Sequence, residues 1–160
     1  MLHTTNAGRS WLQVNLRTSF DLEDISFSGS SNGWVCGIGG TLRRTRDGGS
    51  HWDSLFIPSL APLHKIVFTD TRSGFLSDGA GDVYYTEDGG DRWVRVVASR
   101  GVSLFGLSFF NSSVGVAVGD RGTIARTINS GFSWSGDAYD SLIALRSVAG
   151  IANGAAVAVG

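Results

Sequence analysis

Short runs of alternating apolar and polar residues recur along the chain, each too brief for a helix. Leu22-Glu23-Asp24-Ile25-Ser26-Phe27 reads as a strand with Ile25 and Phe27 on one face. Gly33-Trp34-Val35-Cys36-Gly37-Ile38 is apolar on both faces, as expected of a strand covered on both sides. Thr41 to Thr45 is a third strand and Trp52 to Ile57 a fourth, with turn clusters at Ser28 to Asn32 and Gly39-Gly40. The pattern predicts a four-stranded antiparallel meander.

The pattern returns at a fixed interval of 41 residues. Leu63-Ile66-Phe68 and Leu104-Leu107-Phe109 echo Leu22-Ile25-Phe27, and Gly74 and Gly115 echo Gly33. Repeats of this length, made of short strands, point to a β-propeller. Ile25, Phe27, Ile66, Phe68, Leu107 and Phe109 are the expected core between blades.

The strongest repeat is an eight-residue turn, seen in full as Thr45-Arg46-Asp47-Gly48-Gly49-Ser50-His51-Trp52. Its first position is Thr4, Thr45, Thr86 or Thr127. Its third is Asn6, Asp47, Asp88 or Asn129, whose side-chain oxygen can accept backbone N–H groups ahead of it and close a turn. Glycine recurs at the fifth position (Gly8, Gly49, Gly90, Gly131), which predicts a positive φ. Position four varies (Ala7, Gly48, Gly89, Ser130), so a weaker steric demand is expected there. Trp11, Trp52, Trp93 and Trp134 close the motif and add large apolar surfaces to the expected core.

This motif, S/T-x-D-x-G-x-x-W, is that of the Asp-box, or bacterial neuraminidase repeat. Its fuller form here resembles the photosystem II stability and assembly factor family of plants and cyanobacteria, over nearly the whole chain. The resemblance implies a β-propeller, commonly seven-bladed, in which the Asp-box residues are structural. It implies a non-catalytic scaffold for protein binding and assembly, docking on a photosystem II reaction-centre subunit in a photosynthetic organism. It also implies export to the periplasm, thylakoid lumen or cell surface.

The fold class is therefore all-β, with four-stranded blades. Residues 1–14 end one blade, 15–55, 56–96 and 97–137 are complete blades, and 138–160 is the first half of another. Gly160 aligns with Gly37 and Met1 with Leu42, so the ends are complementary. The chain either closes as four blades or is a segment of a larger propeller. The segment is favoured, because the cut falls inside a hairpin. Ala155 to Val159 would then be an apolar strand without its outer partners, and self-association would cover it.

Composition adds limits. A formal charge of −1 gives no electrostatic reason to expect nucleic acid as partner. One cysteine, Cys36, excludes an internal disulfide and reads as a small buried hydrophobe. No run of apolar residues is long enough for a membrane-spanning helix.

Catalytic, metal and cofactor patterns are lacking. The Asp-box acids sit on different blades, and two copies carry Asn. Paired-carboxylate glycosidases need their acids about 5–10 Å apart. Sialidases share the repeat and use arginines with a tyrosine nucleophile, and Tyr84, Tyr85 and Tyr139 are present, but no local signature joins them. The alternatives are therefore a segment of an Asp-box glycosidase or of a secreted adhesion propeller. His3, His51 and His64 lack metal-ligand spacing, and Asp78 to Asp82 is an ordinary hairpin turn rather than a calcium loop. Arg43, Arg44, Arg46, Arg92, Arg95 and Arg126 flank the Asp-boxes. They read either as solvated strand edges or as a positive strip that docks an acidic protein surface.

Overall fold

The computed structural model describes residues 1–138, 142–151 and 154–160. Within them, sheets follow one another in chain order. The first is a pair, β1 (Leu2–His3) and β2 (Leu12–Gln13). Next come β3 (Leu22–Ser28), β4 (Asn32–Gly37), β5 (Thr41–Thr45) and β6 (Asp53–Ser54). Then β7 (Leu63–Phe68), β8 (Gly74–Asp78), β9 (Asp82–Thr86) and β10 (Val94–Val97) form one sheet. Another is β11 (Leu104–Phe109), β12 (Gly115–Gly119), β13 (Thr123–Thr127) and β14 (Ser135–Ala138). A final pair is β15 (Ser147–Gly150) and β16 (Ala156–Val159). Every pairing is antiparallel between sequence neighbours, the meander of a propeller blade. The fourth strand of the first complete sheet is shorter than its sequence suggests, with only Asp53 and Ser54 in the ladder.

The blades are joined through their first strands. Asp24 Oδ2 accepts the N–H of Ile66 at 2.9 Å, and Ser26 Oγ accepts that of Phe68 at 3.1 Å. Two joints further on, Ser108 Oγ accepts the N–H of Gly150 at 3.0 Å. Polar residues of the inner strand thus satisfy the free N–H groups of the next blade's inner strand, which would otherwise be costly to bury.

The apolar residues fill the space behind these strands. Trp34, Cys36 and Leu42 of one blade meet Ile66, Phe68, Leu76 and Tyr84 of the next. Phe75 and Val83 then meet Leu104, Leu107 and Ala117. Burial is essentially complete at Leu42, Leu76 and Leu104. Burying each such side chain stabilises the joint by roughly 2–3 kcal/mol. Within a blade, the chain entering the first strand lies so close to the second that Gly37 and Gly119 must be glycine: a Cβ there would strike the carbonyls of Asp21 and Ser103.

The core expectation needs correction at one edge. Ile66, Phe68 and Leu107 are buried, but Ile25 is 48 % and Phe27 45 % exposed. Phe27 occupies the same repeat position as Phe68, yet lacks a preceding aromatic like Trp34 to cover it. Its contact is edge-on to Trp52. The motif tryptophans diverge likewise: Trp93 is buried, Trp52 and Trp134 are half-buried, and Trp11 is exposed. Phe109 is also half-buried. Sheet β1–β2 and sheet β15–β16 remain separate two-stranded sheets, so the described residues form an open run of blades rather than a closed four-bladed ring.

Candidate functional site

Each Asp-box is a hydrogen-bonded knot at the far end of the third strand. Thr45 Oγ1 donates to Asp47 Oδ1 at 2.8 Å and accepts the N–H groups of Asp47 and Gly49 at 3.3 and 2.9 Å. Asp47 Oδ1 also accepts the N–H of His51 at 2.9 Å. The same bonds recur around Thr4 and Asn6, Thr86 and Asp88, and Thr127 and Asn129. Trp52 and Trp134 donate their indole N–H to the carbonyls of Gly49 and Gly131. The buried indole N–H of Trp93 has no partner among the described residues.

The turn requires positive φ at two positions, not one. Gly8, Gly49, Gly90 and Gly131 lie at φ 84, 97, 92 and 80°. Position four is also left-handed, at φ 58° for Ala7 and Ser130 and above 70° for Gly48 and Gly89. The variable position therefore tolerates a side chain because its φ stays near the left-handed well open to L-residues, whereas the fifth lies beyond it. Position seven carries a further regularity, legible in the sequence but not drawn from it. Where position three is Asn, position seven is Ser, whose Oγ accepts the amide of Asn6 or Asn129. Where position three is Asp, position seven is His51 or Arg92. His51 Nδ1 lies 2.6 Å from Asp47 Oδ2.

These bonds set the ionisation of the acids. The N–H of His51, then its ring and the Thr45 hydroxyl, hold the Asp47 carboxyl well below the usual carboxylate range. At Asp88 burial opposes ionisation, but the N–H of Arg92 and the Thr86 hydroxyl overcome it and keep the pKa low. A carboxyl held ionised in this way has no proton to donate near neutral pH, so it is a poor general acid.

The other polar candidates also have structural partners. Tyr84 is buried, and its hydroxyl donates to Asp78 Oδ2 at 3.3 Å. Asp78 accepts the N–H groups of Ala80 and Asp82, which makes the 78–82 stretch a hairpin turn. Tyr85 packs edge-on to Phe132, and Tyr139 lies outside the described residues. Burial pushes the Cys36 thiol far up, so it stays protonated. Among the described residues no group of three or more His, Cys, Asp or Glu is placed to hold a metal ion.

The six arginines separate into two kinds. Arg44 is 6 % exposed and reaches into the next blade, donating to the carbonyl of Gly89 at 2.8 Å and to Asp91 at 2.7 Å. It is a strut between blades, not part of an exposed strip, because the Gly89 carbonyl draws it inward. Arg43 donates to the carbonyls of Leu16 and Leu42, and Arg95 pairs with Asp82. Arg46, Arg92 and Arg126 remain at the surface on the Asp-box rim. Arg46 approaches Asp91 no closer than 3.9 Å.

The model of the Photosynthesis system II assembly factor YCF48 family matches residues 3–159. No curated protein matches the chain. Among solved structures, YCF48 bound to a D1 peptide is 25 % identical, with a TM-score of 0.74 over 91 % of this chain and 48 % of that one. YCF48 from Cyanidioschyzon merolae is 20 % identical, with a TM-score of 0.71 over 94 % and 52 %. The RRP9 WD40 repeats share only the fold, at 12 % identity and a TM-score of 0.77 over 92 % and 48 %. The chain thus spans about half the length of the YCF48 structures it matches. Four-stranded blades, an Asp-box at the end of each third strand and a family match over residues 3–159 place this chain in the YCF48 family of photosystem II assembly factors.

Proposed function

We propose that this chain is part of a non-catalytic propeller that docks a photosystem II reaction-centre subunit during assembly. The observation that carries the reading is the similarity to a YCF48 structure bound to a D1 peptide. On this reading the Asp-boxes are structural knots, and the docking groups are the exposed rim arginines Arg46, Arg92 and Arg126. A guanidinium on a solvated rim offers a fork of donors to an acidic partner at little folding cost. The partner lies in an exported compartment: the periplasm, the thylakoid lumen or the cell surface. No described helix is long and apolar enough to cross a membrane.

The test is titration of a fluorescent D1-derived peptide with the protein. Saturable binding, weakened several-fold when Arg46, Arg92 and Arg126 are changed together to Gln, is expected. An absence of binding overturns the reading. Binding indifferent to those substitutions removes the rim arginines from it.

A further inference from the structure

At the opposite end of the blades from the Asp-boxes, one repeat position forms a row at or just before the start of successive inner strands. It reads Glu23, His64, Phe105 and Arg146. With Asp24, Lys65, Gly106 and Ser147 these residues line an open cleft of about 470 Å³. The Arg146 guanidinium carbon lies over the Phe105 ring, 4.3 Å from its centroid. The His64 ring packs on the same phenyl group at 5.0 Å. Phe105 therefore contacts both a guanidinium and an imidazole at the cleft wall.

Charge in the cleft is unevenly committed. Asp24 is spent, since Oδ1 pairs with Lys65 at 3.1 Å and Oδ2 accepts the N–H of Ile66. Arg146 makes no ion pair with any described residue. A guanidinium held over an aromatic ring by cation–π attraction still has N–H donors to offer a planar carboxylate. Glu23 stands at the other end of the row and repels anions there, which gives the cleft a polarity.

We propose that this cleft is a second binding site, taking a side-chain carboxylate of an acidic peptide at Arg146, Phe105 and His64. It lies apart from the Asp-box rim and does not rest on the docking reading above. His64 would report occupancy. Its pKa is lowered by burial first and by Arg146, against Glu23 and Asp78. Asp24 and Lys65 also face the cleft. A bound carboxylate beside the ring favours the imidazolium, so binding takes up a proton and tightens as the pH falls.

The experiment uses the blocked peptide acetyl-Ala-Glu-Phe-Glu-Ala-amide, its Gln counterpart and inorganic phosphate as probes. Side-chain NMR signals of Arg146 and His64 are followed. Saturable shifts with the Glu peptide alone, together with a raised His64 pKa, are expected. Arg146→Gln should weaken binding about tenfold, the loss of one charged hydrogen-bonding group. Glu23→Gln should tighten it about two-fold or more by removing repulsion, a gain that no folding defect imitates. Arg46→Gln with Arg92→Gln should leave it unchanged, so failure here and failure of rim docking are distinguishable. Equal shifts with the Gln peptide or with phosphate, no shift at all, or a Glu23→Gln variant that binds more weakly would each overturn the proposal.

Discussion

Trp34 and Phe68 lie face to face on neighbouring blades, with ring centroids 3.4 Å apart and planes within 7° of parallel. Phe75 and Phe109 repeat the stack one joint further on, at 3.8 Å. Trp34 also donates its indole N–H to the carbonyl of Gly89 at 2.9 Å. Trp34→Ala should therefore lower stability by about 3–5 kcal/mol, a large buried side chain plus a cavity. Phe27→Ala, at the half-exposed edge, should cost only about 1 kcal/mol. Urea denaturation of the two variants measures the contrast. Equal losses would mean that Phe27 has a covering partner in solution.

Thr45 is the hub of its Asp-box, and its buried hydroxyl both donates and accepts. Thr45→Val keeps the shape and removes the hydroxyl. The N–H of Gly49 is then left unsatisfied, at a cost of about 1–2 kcal/mol. Thr4→Val, in the exposed copy, should cost less, because water replaces the hydroxyl. Thermal unfolding of both variants tests the difference.

Asp47 gives the fold an acid-sensitive component. Its folded pKa lies below the unfolded value of about 4, so the unfolded chain binds the proton first as the pH falls. Its stabilising contribution is complete above about pH 4 and is lost as the pH drops through the folded value. Asp47→Asn mimics the copies at Asn6 and Asn129 and removes this component. The melting temperature of the variant should fall less steeply between about pH 4 and 2 than that of the parent.

Arg44 and Asp91 form an asymmetric pair. The arginine is buried, while the aspartate is mostly in solvent. Arg44→Gln loses charge-assisted bonds at a buried joint and should cost about 2 kcal/mol. Asp91→Asn leaves the Gly89 carbonyl to hold the guanidinium and should cost less than about 1 kcal/mol. Calorimetry on the two variants separates a strut from a surface ion pair.

The repeat made much of this architecture legible. Alternation placed the strands, and the fixed spacing turned one reading into several. Alternation states which face a residue takes, however, not whether a neighbour covers that face. Ile25 and Phe27 have the right face and no cover. Ala7 and Ser130 concealed a second left-handed position, because L-residues enter that well at a cost of about 1–2 kcal/mol. Arg44 read as an edge charge, since its partner Gly89 is distant in sequence and belongs to another blade. The row from Glu23 to Arg146 is in perfect repeat phase, but its four residue types share no chemistry. Spacing alone could not make a motif of it.

The single hydrogen-bond hooks between inner strands carry a mechanical consequence. Asp24, Ser26 and Ser108 each reach only the next blade. Tension applied at the two ends would therefore load the joints in series rather than together. The chain should rupture one blade at a time, each event releasing a contour of about 140 Å, the extended length of one repeat. The sawtooth should start at the end whose aromatic face lies bare.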